Sequence, residues 1–465
     1  TLDPTHRELP NNGALAFNRS DNVTFSGAIS GSGSLSQVGP GMLTLTGANT
    51  HTGGTTVSGG TLAVSGAGTL SANSSVTIGE GGTLIYETGT SGGNNTHVLQ
   101  GSSTFGTPGG VLRFLGTASA GSGTYTNTAN SAVFGAAAPM ISFEGNSTAG
   151  TATLVNEPVT ALFAETPRIV FRDNASMGGA TIISQDRAPF NNDGSGVVLL
   201  DDATAGTANI TLAGSRERRT RAASLLLSGR ATAGSARIMV GGGAALSAFG
   251  ASGSGASLVF EQDSRADTAL ITANGGLGGG QGGAILFTGN LDAPLAGIRL
   301  NGNATLDIGQ FAGSAFQLAN LNGEGSVVLG GKELRLGGTN ADMSFAGTIG
   351  AGDWRGALTK QGTGTLTLTG PNVYNGQTTI SAGGTLRVEG AGTLGTGPVA
   401  NAGTLVFNRS DNVTLSNPIS GGGTFTQAGS GTLDITGNYT QGRTTITAGT
   451  LRFGGGGTTL SPGVI

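Results

Sequence analysis

Aliphatic residues in this chain recur in alternation, at every second position, over very short stretches. Leu43 and Leu45, Leu366 and Leu368, and Leu433 and Ile435 are each separated by a Thr or an Asp. That period of two marks a strand with one buried face. Asn and Gly then turn the chain, a lone aliphatic follows (Val57, Ile380, Ile446), and after a further Gly turn come Leu62 and Val64, Leu386 and Val388, or Leu451 and Phe453. Glycines interrupt the pattern too often for amphipathic helices. The predicted elements are strands, each too short to stand alone.

The pattern is written more than once. Residues 18–47 read NRSDNVTFSGAISGSGSLSQVGPGMLTLTG, and residues 408–437 read NRSDNVTLSNPISGGGTFTQAGSGTLDITG in the same register. Residues 359–388, TKQGTGTLTLTGPNVYNGQTTISAGGTLRV, match 39–64 and 430–453. Repeats of this kind bury their apolar faces by stacking, which sets equivalent positions about 4.8 Å apart, leucines laddered inside and threonines outside. An all-β solenoid, a parallel β-helix of about 20 coils and roughly 100 Å, is the expected object, with open ends that need capping against edge pairing. Between residues 111 and 338 the theme is looser: apolar runs recur at 111–115, 141–143, 168–171, 197–200, 225–227, 258–260, 285–287 and 327–329, about one coil per 20 to 30 residues. No linker separates the sections. We read residues 1–465 as one continuous elongated domain, regular over 1–110, divergent with loops over 111–338, and regular again over 339–465.

Composition agrees with a thin core. Charged residues make up 10% and aromatics 5%, with 89 glycines and 36% apolar residues, too few charges for a solvated disordered tail and too few large side chains for a thick globular interior. The net charge is −4 and the lysines are Lys332 and Lys360, so no broad basic field attracts nucleic acid. Cysteine is absent, which removes disulfides, thiolate catalysis and cysteine zinc sites and suits a chain that crosses an outer membrane unfolded. No apolar run is long enough to span a bilayer as a helix. The opening TLDPTHRELP is not a signal peptide.

The units GTLTLTGPNVYNGQTTISAGGTLRV and MLTLTGANTHTGGTTVSGGTLAV closely resemble the passenger-associated strand repeat of bacterial autotransporters. The repeat covers about a third of the chain plainly, and GGTTLSPGVI resembles a Gly-rich stretch that leads on to further coils in such proteins. The resemblance implies a right-handed parallel β-helix, exported by the type V route and displayed at, or shed from, a Gram-negative cell surface. The chain departs from the full pattern in having no series of ten-residue amphipathic strands with aromatic girdles, the mark of an outer-membrane barrel.

Candidate chemistry is sparse. The histidines are His6, His51 and His97; His51 occupies the position of Tyr374 in the matching repeat, so it either fills an aromatic ladder slot or lies on a turn. No GxSxG elbow occurs, and nothing nominates a serine nucleophile with its base. GSGSLSQVGPG and GGLGGGQGG lack the GxxxxGK[ST] spelling and read as turns rather than phosphate loops. Asp193, Asp201 and Asp202 faintly resemble calcium-binding solenoid turns, but the GGxGxDxUx repeat is missing. The most distinctive charged stretch is SRERRTRAASLLLSGR, with Arg216, Arg218, Arg219, Arg221 and Arg230 against Glu217. As a loop thrown out from the stack it either binds an acidic glycan or protein, or is protease-sensitive, or is merely solvated. There is no RGD tripeptide. Trp354 beside Arg355 reads as a plug for the coil.

These readings expect no catalysis, cofactor or metal. The leading function is adhesive or structural, with a host or cell-surface protein or glycan as partner. Capture of one host protein through the divergent middle, and self-association into extracellular filaments, are the alternatives.

Overall fold

A computed structural model describes residues 8–72, 74–128, 137–158, 165–185, 196–215, 222–245, 253–352 and 355–454. The chain divides into two compact units: residues 1–259, 263–265 and 277–281 form the first, and 260–262, 266–276 and 282–465 the second. The described secondary structure consists of short strands that pair in parallel.

In the first unit one face is a ladder of Ala14–Phe17, Ser34–Gln37, Thr55–Val57, Ser75–Ile78, Thr96–Gln100, Thr124–Thr128, Thr153–Asn156, Thr181–Ser184, Asn209–Leu212 and Arg237–Val240, each in register on the last. A second face stacks Val23–Phe25, Met42–Leu45, Thr61–Val64, Thr83–Tyr86, Val111–Phe114, Met140–Phe143, Arg168–Phe171, Val197–Leu199 and Ser224–Leu227. The inward rows are the alternating aliphatics of the sequence. Leu43, Leu62, Leu84, Leu112, Ile141 and Ile169 are all buried, and so are Val64, Tyr86, Phe114, Phe143 and Phe171 beside them. In that second row the rings of Phe114, Phe143 and Phe171 stack at 4.7 and 4.4 Å. Burial of one such side chain contributes about 1.5–3 kcal/mol, which a strand of four residues obtains only from the coils on either side.

A third row closes the coil. Ser91, Ser119, Thr148, Ser176, Thr204 and Thr232 bridge one another in single steps, and the Thr232 and Thr204 hydroxyls, 28 residues apart, lie 3.0 Å from each other. The Ser119, Thr148, Ser176 and Thr204 hydroxyls each accept a bond of 2.9–3.0 Å from the backbone N–H two residues on. Buried Ala118, Ala175, Ala203 and Ala231 precede this row, and Ala120, Ala149, Ala205 and Ala233 follow it, so small side chains predominate at this tight corner, although buried Met177 takes the same place after Ser176. Gly206 shows how tight: its φ is +58 and an added Cβ would lie 2.6 Å from the Gly178 carbonyl oxygen. The middle coils of this unit are therefore regular in backbone although their sequences diverge.

In the second unit Ala293–Leu300, Ala315–Gly323, Glu333–Leu336, Ala357–Lys360, Thr378–Ile380 and Val399–Asn401 pair in succession. Met343–Phe345, Thr365–Leu368, Thr385–Glu389 and Thr404–Asn408 form a neighbouring ladder. Ile419–Gln427 and Tyr439–Ile446 turn a corner within one strand, with a register shift between Gly421 and Thr424, and so continue both. Val413–Leu415, Thr432–Ile435 and Thr450–Phe453 make the last face. Each unit is thus an all-β parallel solenoid, as the alternation predicts.

Candidate functional site

The three copies of the sequence repeat share one buried slot, and the first two share more. Gln37, Lys360 and Gln427 occupy one slot: each is buried and donates to two carbonyls of the glycine turn that follows, at Gly39 and Gly41 (2.8 and 3.0 Å), Gln361 and Gly362 (2.5 and 3.1 Å), and Gly429 and Gly431 (2.9 and 3.2 Å). Burial pushes the Lys360 ammonium below its ordinary range. Asn49 and Asn372 occupy another slot. Each accepts from a backbone N–H of the preceding coil, Ile29 or Ile349, and donates to a carbonyl of the following one, Thr69 or Thr393. His51 Nε2 lies 3.0 Å from the Thr55 hydroxyl, and Tyr374 places its hydroxyl 2.8 Å from Thr378. His51 is therefore an interior residue in a tyrosine slot, buried with its pKa lowered by desolvation.

His97 is also interior. Its Nε2 lies 2.8 Å from the Tyr86 hydroxyl, its ring stacks on Tyr125 at 4.4 Å, and burial drives its pKa down to about 3. Both described imidazoles are neutral spacers in the stack. His6 lies outside the described residues.

The arginine-rich stretch divides. Arg216, Arg218, Arg219 and Arg221 lie outside the described residues; their flanks do not. Ser215, Ala222 and Ala223 are buried, and the Ala223 N–H donates to the Ala213 carbonyl at 2.9 Å. Residues 129–136, 159–164, 186–195 and 216–221 each fall between a strand of the first face and the next strand of the second. The sequence between these strands is therefore longer than the three residues that separate Val57 from Thr61. The preceding coil shows such an insertion in the described part: the Glu80 carboxylate accepts from the Ser103 N–H (2.6 Å) and from the Ser102 and Ser103 hydroxyls (3.1 and 3.0 Å), and Phe105 beyond them is 72% exposed. Those bonds hold the Glu80 pKa down.

Arg230 belongs elsewhere. It follows the strand Ser224–Leu227 and makes a two-pronged ion pair with Asp202 of the coil before it, at 2.6 and 2.5 Å. Asp201 sits in the left-handed region at φ 57 and accepts from the Asp173 N–H at 3.1 Å. Asp193 and Trp354 lie outside the described residues. Among the described residues no group of three or more His, Cys, Asp or Glu is placed to hold a metal ion.

Sequence reasoning missed the Ser/Thr row and the Glu80 clamp. The recurring small-residue spellings TASAG, NSTAG, DATAG and RATAG carried the signal for the row; the clamp, between residues 23 apart, left none.

Comparison with known proteins agrees with this wiring. Residues 35–64, 358–388 and 425–453 match the model of the passenger-associated-transport-repeat; all three stretches hold the Gln/Lys slot, and the first two also hold the Asn slot. Over 179 residues, 37% of the chain, the sequence is 35% identical to the adhesin BmaC autotransporter of Brucella suis biovar 1 (strain 1330). The matched stretch spans 5% of that protein's length.

Proposed function

We propose that this chain is part of a non-catalytic passenger displayed at, or released from, a Gram-negative cell surface, where it acts as an adhesin or structural stalk. The observation that carries the reading is the set of three passenger-associated transport repeats, each built into coils whose inward side chains are buried. Such coils offer function only on their outer faces and in insertions at their corners. The 35% identity to an autotransporter adhesin supports the adhesive side. The partner in this proposal is a host or cell-surface protein or an acidic glycan, met by the segment that carries Arg216, Arg218, Arg219 and Arg221, whose four guanidinium groups match carboxylate or sulfate chemistry.

The test is binding of the purified chain to cultured epithelial cells and to an immobilised panel of sulfated and sialylated glycans. A partner variant has residues 216–221 replaced by Gly and Ser at unchanged length. Saturable binding by the parent and its loss in the variant, with a steep fall between low and physiological salt, is the expected result. Equal binding by both forms sinks the role of the arginines, and no binding by either sinks the adhesive reading.

A further inference from the structure

We infer that Asn274 is a site of spontaneous covalent modification, where the folded chain promotes conversion of its own side-chain amide to a carboxylate. Asn12, Asn274, Asn301, Asn322 and Asn375 each precede a glycine, which leaves the following backbone nitrogen unhindered for attack on the side-chain carbonyl carbon. The fold decides which of these nitrogens is free to react. The Gly13 N–H donates to Asn11 Oδ1 at 3.1 Å, the Gly302 N–H to Glu324 Oε1 at 3.1 Å, and the Gly376 N–H to the Gly356 carbonyl at 2.8 Å. Gly323 lies within the strand Ala315–Gly323 and is paired on both sides, with Leu300 and with Phe345. Gly275 differs. It follows the strand Leu270–Ala273, and its N–H has no acceptor among the described residues.

The Asn274 carbonyl is polarised as well. Ala273 pairs with Leu300, which sets Asn274 beside Asn301 of the next coil in the second unit. Arg299 Nε donates to Asn301 Oδ1 at 3.1 Å, and Asn301 Nδ2 donates to Asn274 Oδ1 at 2.9 Å. A guanidinium only donates, so it fixes which end of the Asn301 amide faces it. The Asn301 NH2 is thereby turned to Asn274, and the relay carries the pull of a positive charge onto Asn274 Oδ1. Asn301 feels Arg299 directly, but the nitrogen that would attack it is engaged with Glu324. In the reaction the Gly275 nitrogen bonds to Asn274 Cγ and gives its proton to a solvent base, while negative charge gathers on Oδ1, where the Asn301 donor already stands. The Cγ–Nδ2 bond then breaks, the nitrogen takes a proton from water, and ammonia leaves a cyclic imide. Water opens the imide at either carbonyl, giving aspartate or an isoaspartate whose main chain runs through the former side chain. Water is the only co-reactant, and residues 274–276 are partly exposed to it.

The test is peptide mapping by mass spectrometry of the purified, folded chain during incubation at mildly alkaline pH, each Asn–Gly pair serving as an internal control for the others. The Asn274 peptide is expected to gain about 1 Da as two chromatographically separable products, roughly tenfold or more faster than the peptides of Asn12, Asn301, Asn322 and Asn375. The same incubation in urea should bring these rates together, because the unfolded chain neither holds the other nitrogens nor aligns the relay. Asn301→Ala removes the donor to Asn274 and should slow conversion there roughly threefold or more. Glu324→Ala frees the Gly302 N–H and should raise conversion at Asn301 by a similar factor, with the Asn375 peptide unchanged in both variants as the sign that the coils remain folded. The inference is overturned by an Asn274 that converts no faster than the other asparagines in the folded chain, by a rate there that Asn301→Ala leaves unmoved, or by an Asn301 that stays unreactive in Glu324→Ala. None of these readouts involves host cells or glycans, so failure here is separate from failure of the adhesive reading.

Discussion

His97 gives the sharpest test of the interior. It is wholly buried, and its pKa falls from an ordinary 6.5 to about 3, with desolvation the main cause and the Asn95 backbone pulling weakly the other way. The sign follows from proton binding. Between those two values the unfolded chain holds a proton at this imidazole and the folded one does not, so stability is full above pH 6.5 and declines as pH falls toward 3. Each pH unit in that window costs up to about 1.4 kcal/mol, hence about 2 kcal/mol at pH 5. Replacing His97 alone would orphan the buried Tyr86 hydroxyl, so the variant to make carries both His97→Phe and Tyr86→Phe. Removing both partners of a buried bond with shapes kept is nearly neutral, and Phe preserves stacking on Tyr125 and Phe114. Urea unfolding followed by circular dichroism should show parent and variant within about 1 kcal/mol at pH 7. At pH 5 the variant should be ahead by about 2 kcal/mol. Since His51 remains in both forms, equal losses on acidification would refute the claim that His97 is folded in as a neutral base.

Two substitutions probe the backbone and the repeat slot. Gly206→Ala should destabilise by about 2 kcal/mol or more, from a left-handed residue and a Cβ thrust at the immovable Gly178 carbonyl, whereas Gly93→Ala, at φ +65 with open space around it, should cost only about 1 kcal/mol in the same thermal melt. Lys360→Gln restores the residue its two counterparts use, keeps two carbonyl bonds and frees a charge from burial; unfolding in urea should show it at least as stable as the parent, and a loss above about 1 kcal/mol would contradict the shared-slot assignment.

Much of the fold was legible because its signal is local. An inward pair such as Leu62 and Val64 is visible in four residues, and the shared spelling around Tyr374 and His51 narrowed the histidine to an aromatic slot or a turn, of which its burial against Thr55 selects the first. The interior asparagines were not legible by the same rule. Asn127 and Asn156 stand at inward positions of Thr124–Thr128 and Thr153–Asn156, where alternation calls for an aliphatic. They are tolerated because Asn127 donates to Asn156 at 2.8 Å and to the Arg168 carbonyl at 3.1 Å, and Asn156 donates to the Gly196 carbonyl at 2.9 Å. Those partners lie 29 to 41 residues away, so they exist only once the coil length is known.

Coil length also decides the candidate site. Arg230 reads along the sequence as the last member of an arginine cluster, yet a 28-residue step sets it on Asp202 and leaves a strand between it and Arg221. An exposed pair of this kind contributes little to stability, about 0–1 kcal/mol, but it takes one guanidinium out of the surface field. Arg216, Arg218, Arg219 and Arg221 fall instead in a stretch whose base is pinned by the Ala223 to Ala213 bond. Charges at the same place in successive coils meet through the stack, as Arg230 meets Asp202.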